Sequence, residues 1–467
     1  LSEMRMPTTG ASLDEIPVIE VNRENMDRLW PHLILSIRKA DLIAIDLELS
    51  GLGERAAINA ASLEDRYAAM RKAATTRSVL SLGIALFERR ETKKEKRVGY
   101  KCQVFNVLSL CSEPFMMEPD ALRFLADHSF DFNRYVRQGV PYHAAHQSTK
   151  SCPLRSLLDE LLSPRAPIAL HNGLVDLVFL YTHFYTTPPP TLSQFIADLA
   201  DLFPTGEEQD DEVAPVVDSK FIAEFQERMP ASYLEYVFRK SQRDNFLEAK
   251  EGRVHVKMSF GGSVMEIVPS SSLERVACAL PEGFSDHAVD ARRAAERLCA
   301  QFANHGFCRT GAACSKAHDV DLALDVEKIK SEKMRRRRKR RLDAQAGLER
   351  SEDREDGGSM TSSGDREEST DDPQLKQERQ PFSVTGSHRA GVDAFMTGFA
   401  VLFHSRMALL KDGTLPVTIT NRIPLSGKDR PLHLVPSRLV ECSAAHSDRV
   451  MLVRAARKKA DAAHARV

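Results

Sequence analysis

The 467-residue chain has one tryptophan and eight cysteines, and none of its apolar runs nears the roughly 18–20 residues that a membrane-spanning helix needs. Its opening, LSEMRMPTTGASLDE, lacks the basic and apolar regions of a secretory signal. The chain begins at Leu1 rather than Met, as a fragment or a processed chain does. These absences predict an intracellular, soluble protein whose cysteines stay reduced or hold metal rather than forming a disulfide framework. No internal repeat is visible, which argues against a solenoid. A net charge of −1 gives no overall bias, but basic and acidic residues are strongly segregated between 333 and 379. With 28% charged residues and so little tryptophan, part of the chain is not core.

What is present reads as strands alternating with helices. IPVIEV is a strand, followed by the helix ENMDRLWPHLILSIRKA. LIAI opens a second, buried strand, and LEDRYAAMRKAA reads as an exposed helix. SVLSLGIALFER and VGYKCQVFNVL flank the charged turn ETKKEKR and read as antiparallel neighbours. Further on come the helix LRSLLDELLS, the short strand PIAL and the strand end PVVDSKF. This alternation predicts an α/β fold with a mixed sheet. Residues 351–380, rich in Ser, Asp, Glu, Gly and Gln, cannot bury enough surface to order themselves. The C-terminal RVMLVRAARKKADAAHAR reads as a basic helix or tail.

The chemistry starts at ADLIAIDLELSGLG. Residues two apart on a strand share a face, so Asp46 and Glu48 point the same way. A lone pair of this kind is more often a strand end turning into solvent. Asp176, in a helix that follows HNG, and Asp393, set among apolar residues in HRAGVDAF, change the weighting. A carboxylate on a buried helix face needs a partner. Four carboxylates converging from separate elements suit two Mg²⁺ ions, which take hard oxygen ligands and together drive phosphodiester hydrolysis.

The ordered set D-x-E, then D, then H-x4-D resembles the DEDDh 3′-to-5′ exonucleases, whose fold is RNase H-like. DLELSGLG, RSVLSLGIALF, FDFNRYVRQGVPYH, ALHNGLVDLVFLY and HRAGVDAFMTGF resemble the deadenylase branch that includes poly(A)-specific ribonuclease. The resemblance implies that Asp46, Glu48, Asp176 and Asp393 hold two Mg²⁺ ions and that His388 is the general base. It also implies a single-stranded RNA substrate with a poly(A) or oligoadenylated 3′ end, as in small nuclear RNA maturation. A base working near neutral pH suits histidine. His287 and Asp290 in SDHAVDARRAAE form a decoy, because they lie three residues apart rather than five. His171 and His183 read as packing or hydrogen-bonding residues, and Asp218 as the residue that orders its turn.

Cys299, Cys308, Cys314 and His318 have the spacing C-x8-C-x5-C-x3-H. Four such ligands in twenty residues predict one structural Zn²⁺. The spacing resembles CCCH fingers that bind single-stranded RNA, with Phe302 and Phe307 for stacking and Arg309 and Lys316 for phosphates. A protein-binding or structural role is the alternative. KMRRRRKRR reads as a nuclear localisation signal for an import receptor, or as a nucleic-acid patch.

The expected organisation is a nuclease over 14–270 and 381–440, interrupted by a finger at 294–320, the basic run at 333–341 and a disordered linker at 342–380. A basic tail follows at 441–467. The leading expectation is a nuclear Mg²⁺-dependent 3′-exoribonuclease. A non-catalytic RNA-binding adaptor and a DNA exonuclease are the competing readings.

Overall fold

The computed structural model describes residues 13–90, 96–205, 213–281, 284, 295–349 and 389–464. His287, Asp290 and His388 lie outside the described residues, as does the acidic tract from 350. The chain forms two compact units. Residues 283–383 form one, and the chain on either side of them forms the other, which is therefore discontinuous.

The larger unit is a mixed α/β fold. Its strands are β1 Glu15–Val21, β2 Leu42–Leu49, β3 Val79–Arg90, β4 Arg97–Cys111, β5 Val140–Tyr142, β6 Ile168–Leu170, β7 Val216–Asp218, β8 His255–Phe260 and β9 Leu273–Ala277. They form one sheet in the order β7-β6-β2-β3-β4-β1-β9, with β5 and β8 also paired to β4. β3 runs antiparallel to β2 and β4, while β6 lies parallel to β2 and β7 parallel to β6. An RNase H-like sheet has this arrangement, with one reversed strand beside the central one.

The longer helices of this unit are α1 Met26–Arg38, α2 Leu63–Thr76, α3 Pro119–Asp127, α4 Phe132–Gln138, α5 Pro153–Leu162, α6 Leu174–Leu180, α7 Leu192–Leu202 and α8 Leu234–Lys250. After the other unit's long helix, α9 Val320–Glu349, come α10 Ala390–Lys411 and α11 Ala444–His464. Among the described residues no helix is long and apolar enough to cross a membrane.

The run LIAI is continuous because β2 is covered on both faces. Ile43, Ile45 and Leu47 enter a core shared with α1, α5 and α6. Ala44, Asp46 and Glu48 face the other way, towards α10. Two glycines set how closely α10 sits on the sheet. A Cβ on Gly398 would come within 2.2 Å of the Phe87 ring, and one on Gly83 of β3 within 1.9 Å of the Ala390 backbone. The helix α2, expected to be exposed, buries one face through Tyr67, Met70, Ala73 and Ala74. Tyr67 donates to the Pro189 carbonyl at 2.7 Å and stacks on Phe195.

The expected antiparallel pair is β3 and β4, in register from Ser81↔Leu108 to Arg90↔Gly99. The C-terminal segment is the helix α11, tied to the rest of the larger unit by Arg457, whose Nη2 donates to the Leu202 carbonyl at 2.8 Å. In the smaller unit α9 carries the basic run and extends through 349, so the segment after residue 341 is helical for its first eight residues. Lys333 through Arg340 are exposed along it.

Candidate metal centre

Asp46 and Glu48 lie on β2 where it meets β3, opposite Gly83 and Ser81. Asp393 lies in the first turn of α10. One carboxylate oxygen from each of Asp46, Glu48 and Asp393 falls within 4.8 Å of the others. Glu48 and Asp393 are each only 8% exposed. Asp176, in the first turn of α6, faces the same cluster closely enough to act on Asp46. One strand and two helices thus bring together the four carboxylates that the sequence singles out.

The electrostatics are unfavourable without a cation. Burial, then Asp393, Asp176 and Glu48, push Asp46 well above the ordinary carboxylate range. Burial pushes Asp176 up to about 7 against the lowering effect of backbone amides, with Asp218 adding to the rise. At an effective dielectric of about 20, each like-charge pair near 4.8 Å costs on the order of 3–4 kcal/mol. The N-terminus of α10 returns about 2 kcal/mol at most to Asp393. The helix end cannot balance three neighbouring carboxylates, whereas a divalent cation can. Hard oxygen donors at this mutual distance fit Mg²⁺ or a similar ion.

Three supporting residues hold the geometry. Asp218, fully buried at the end of β7, accepts from the backbone N–H groups of Asn172 at 3.0 Å, Gly173 at 2.8 Å and Lys220 at 2.9 Å. It fixes the HNG turn, where Asn172 has a φ of 58°, and so aims α6 and Asp176. It orders its turn as expected, and it also secures the neighbouring one. Glu118 takes the Gly53 N–H at 2.9 Å and the Arg77 Nε at 2.6 Å, tying the loop after β2 to the start of β3. Asn106 of β4 accepts from the Gly391 N–H at 3.3 Å and steadies the start of α10. Sequence reading missed Glu118 and Asn106 because both act across the fold on distant backbone, without a local signature.

His171 and His183 take the supporting roles expected of them. His171 Nδ1 lies 2.8 Å from the Ser219 hydroxyl, and burial lowers its pKa to about 3. His183 is buried 3.3 Å from the Tyr142 hydroxyl and stacks on Phe179.

The close contact between β3 and α10 gives a test that touches no carboxylate. Gly83→Ala must push the start of α10 off the sheet and move Asp393 away from Asp46 and Glu48. Divalent-ion affinity, measured by calorimetry, is expected to fall at least about tenfold. Gly252→Ala, whose Cβ would meet nothing within 4 Å, supplies the contrast for a backbone-only effect.

In the smaller unit Cys299, Cys308, Cys314 and His318 also bring one ligand atom each within 4.8 Å of one another. The Thr310 backbone amide pulls the Cys308 thiol down to about 6, towards the thiolate form that binds metal. His318 Nε2 is buried and has no hydrogen-bond partner among the described residues. A buried ring nitrogen beside three thiols is fit for Zn²⁺. Phe302 stacks on His318 at 5.0 Å, so one of its faces is already covered. Phe307 is 43% exposed, and Arg309 and Lys316 are exposed.

A mixed sheet whose central strand ends in converging carboxylates is fit to hold divalent cations. The profile of the CAF1 family ribonucleases matches residues 21–152 and 145–401, and the chain belongs to that family. It is 26% identical over 156 residues to the poly(A)-specific ribonuclease PARN of Danio rerio, a match covering 30% of this chain and 22% of that protein. It is 22% identical over 129 residues to the pre-piRNA 3′-exonuclease trimmer of Bombyx mori, covering 27% and 24%. An uncharacterized protein of Schizosaccharomyces pombe is 27% identical over 162 residues, covering 34% and 36%. The matches therefore span well under half of each relative. Among solved structures, the Mg²⁺- and Mn²⁺-bound form of S. pombe Pop2p aligns with a TM-score of 0.36 and 14% identity, over 49% of this chain and 82% of that one.

Proposed function

We propose that the chain is an Mg²⁺-dependent 3′-to-5′ exoribonuclease that removes poly(A) or oligoadenylated 3′ tails from RNA, small nuclear RNAs included. The convergence of Asp46, Glu48 and Asp393, with Asp176 close by, carries this reading. Membership of a ribonuclease family and similarity to proteins named as poly(A)-specific ribonuclease and 3′-exonuclease trimmer support it. Within the family the sequence resembles the nuclear deadenylase called target of early growth response protein 1.

Asp46, Glu48, Asp176 and Asp393 would hold two divalent ions. Those ions supply activation of a water and stabilisation of the leaving oxygen of a phosphodiester. Asp218 and Asn106 hold Asp176 and Asp393 in place, and Glu118 fixes the edge of the site. His388 takes the proton of the attacking water on a ring nitrogen, a role suited to a group that titrates near neutrality.

The smaller unit contributes a Zn²⁺-held finger that binds RNA, with Phe307, Arg309 and Lys316 as its exposed contacts and Phe302 buttressing His318. The basic run on α9 serves import to the nucleus and attracts the RNA backbone. Cys308→Ser is expected to release zinc, weaken binding to long RNA modestly and leave trimming of a very short oligoadenylate unchanged. Zinc release can be followed with a chromogenic chelator. Loss of activity on the shortest substrate would instead make the finger part of the catalytic unit.

The whole reading is tested with purified protein and Mg²⁺ against a labelled oligoadenylate, the matched DNA, and RNAs ending in other bases. Stepwise loss from the 3′ end of the oligoadenylate supports it. Tight RNA binding without cleavage would favour an adaptor, and equal cleavage of DNA would remove the ribose preference.

A further inference from the structure

Cross-strand partners share a face of the sheet, so the register places a row of side chains beside the metal centre. Asp46 pairs with Gly83, Gly83 with Asn106, and Asn106 with Glu20. One step further along, Glu48 pairs with Ser81. A small cavity of about 80 Å³ lies on this face, lined by Glu20, Ser81, Asn106, Arg134 and Arg389 among others. It shares Asp131 and Arg134 with a second cavity of about 720 Å³ that extends to Arg28, Asn133 and Arg137. The two form a track that starts beside Glu48 and leaves across β4 and β1 to the start of α1 and the length of α4.

The charges along the track are unevenly used. Arg134 is ion-paired with the buried Glu20 at 2.5 Å. The Asp131 carboxylate is taken up as the N-cap of α4, accepting from the Arg134 N–H at 2.9 Å. The Arg28 and Arg137 side chains make no hydrogen bond or ion pair among the described residues, and both are exposed on the rim. Glu24 is the other carboxylate that lines the large cavity. Its volume is within the range of ligand sites, roughly 300–1,000 Å³. Free guanidinium groups beside neutral amides match sugar and phosphate oxygens, which arginine binds in bidentate fashion.

We infer that this cleft is an upstream subsite that holds the backbone phosphates of the RNA strand behind the nucleotide being removed. The inference rests on the exoribonuclease reading. Continuity with the carboxylate centre favours a strand over a free mononucleotide, because a polymer whose 3′ end sits at Asp46 and Glu48 must leave along some such track. Arg28 and Arg137 contact phosphates there, and Glu24 opposes them.

The test compares KM for a long oligoadenylate with KM for a dinucleotide, in the full chain with Mg²⁺. In the Arg28→Ala/Arg137→Ala variant the ratio of long to short KM is expected to rise about tenfold. The slope of log KM for the long RNA against log salt should fall by about 1.4, from two lost contacts at about 0.7 each on a single strand. Glu24→Gln should lower KM for the long RNA, a gain that general damage to the fold would not give. An unchanged ratio in the arginine variant, with both substrates trimmed by the parent, overturns the subsite alone. Loss of competition by adenosine monophosphate with no change in that ratio would make the cleft a free-nucleotide site and also overturn it. A parent that trims neither substrate removes the exoribonuclease reading and the subsite with it.

Discussion

Asp46→Asn is expected to abolish divalent-dependent trimming while leaving the protein folded and, without metal, no less stable than the parent. The substitution keeps the shape of the side chain and removes one charge from the centre of four carboxylates. Loss of one preorganised electrostatic group in an active site costs about 10²–10³-fold in rate, and loss of a shared metal ligand should cost at least that. The stability side follows from pKa linkage. Asp46 and Asp176 both have pKa values raised in the folded chain, Asp176 to about 7. An unfolded aspartate titrates near 3.9. The folded protein therefore holds protons that the unfolded chain releases. The stabilisation is complete below about pH 4 and is lost as the pH rises towards 7. The metal-stripped parent should accordingly melt at a lower temperature at pH 8 than at pH 5, and Mg²⁺ should raise its melting temperature more at pH 8. In Asp46→Asn both differences should shrink. A variant that keeps full activity, or a parent that melts higher at pH 8 than at pH 5 without metal, would contradict the assignment of these carboxylates.

His388→Ala should slow trimming by about 10²–10⁴-fold, the usual scale of general-base loss, with divalent affinity retained. The pH–rate profile should also change, because the limb set by the general base disappears. The separation of binding from rate distinguishes a base from a ligand. His287→Ala, which alters the other histidine–aspartate pair, should leave both readouts as in the parent. An inactive His287→Ala with an active His388→Ala would move the base to the wrong side of the finger and break the order of motifs on which the reading depends.

Much of this site could be read from the chain because its elements are locally coded. An apolar run ending in two carboxylates two residues apart reads as a strand that delivers both to one face, and β2 does so. The apolar surroundings of Asp393 marked it as buried on a core helix, and α10 is almost wholly buried over its first half. The grouping of Cys299, Cys308, Cys314 and His318 was legible from spacing alone, and their ligand atoms do lie within 4.8 Å of one another. What stayed hidden depends on contacts between distant segments. Glu118 reaches back to residues 52 and 53, and Pro269 and Ser272 line the same cleft as Arg28 and Arg137 because β9 lies beside β1. The buried face of α2 was missed for the same reason, since Tyr67 finds its partners at Pro189 and Phe195. The extension of α9 through a nearly pure charge run was also missed, because Arg and Lys favour helix as strongly as they resist burial.

The most direct measurement is a time course on a 5′-labelled oligoadenylate with a free 3′ hydroxyl, beside the same RNA with its 3′ end blocked, with Mg²⁺ or with a chelator. A centre that works on 3′ ends through divalent ions should shorten the free strand one nucleotide at a time with Mg²⁺, and leave the blocked strand and the chelated reaction intact. Cleavage that persists in the chelator, or internal cuts in the blocked strand, would contradict it.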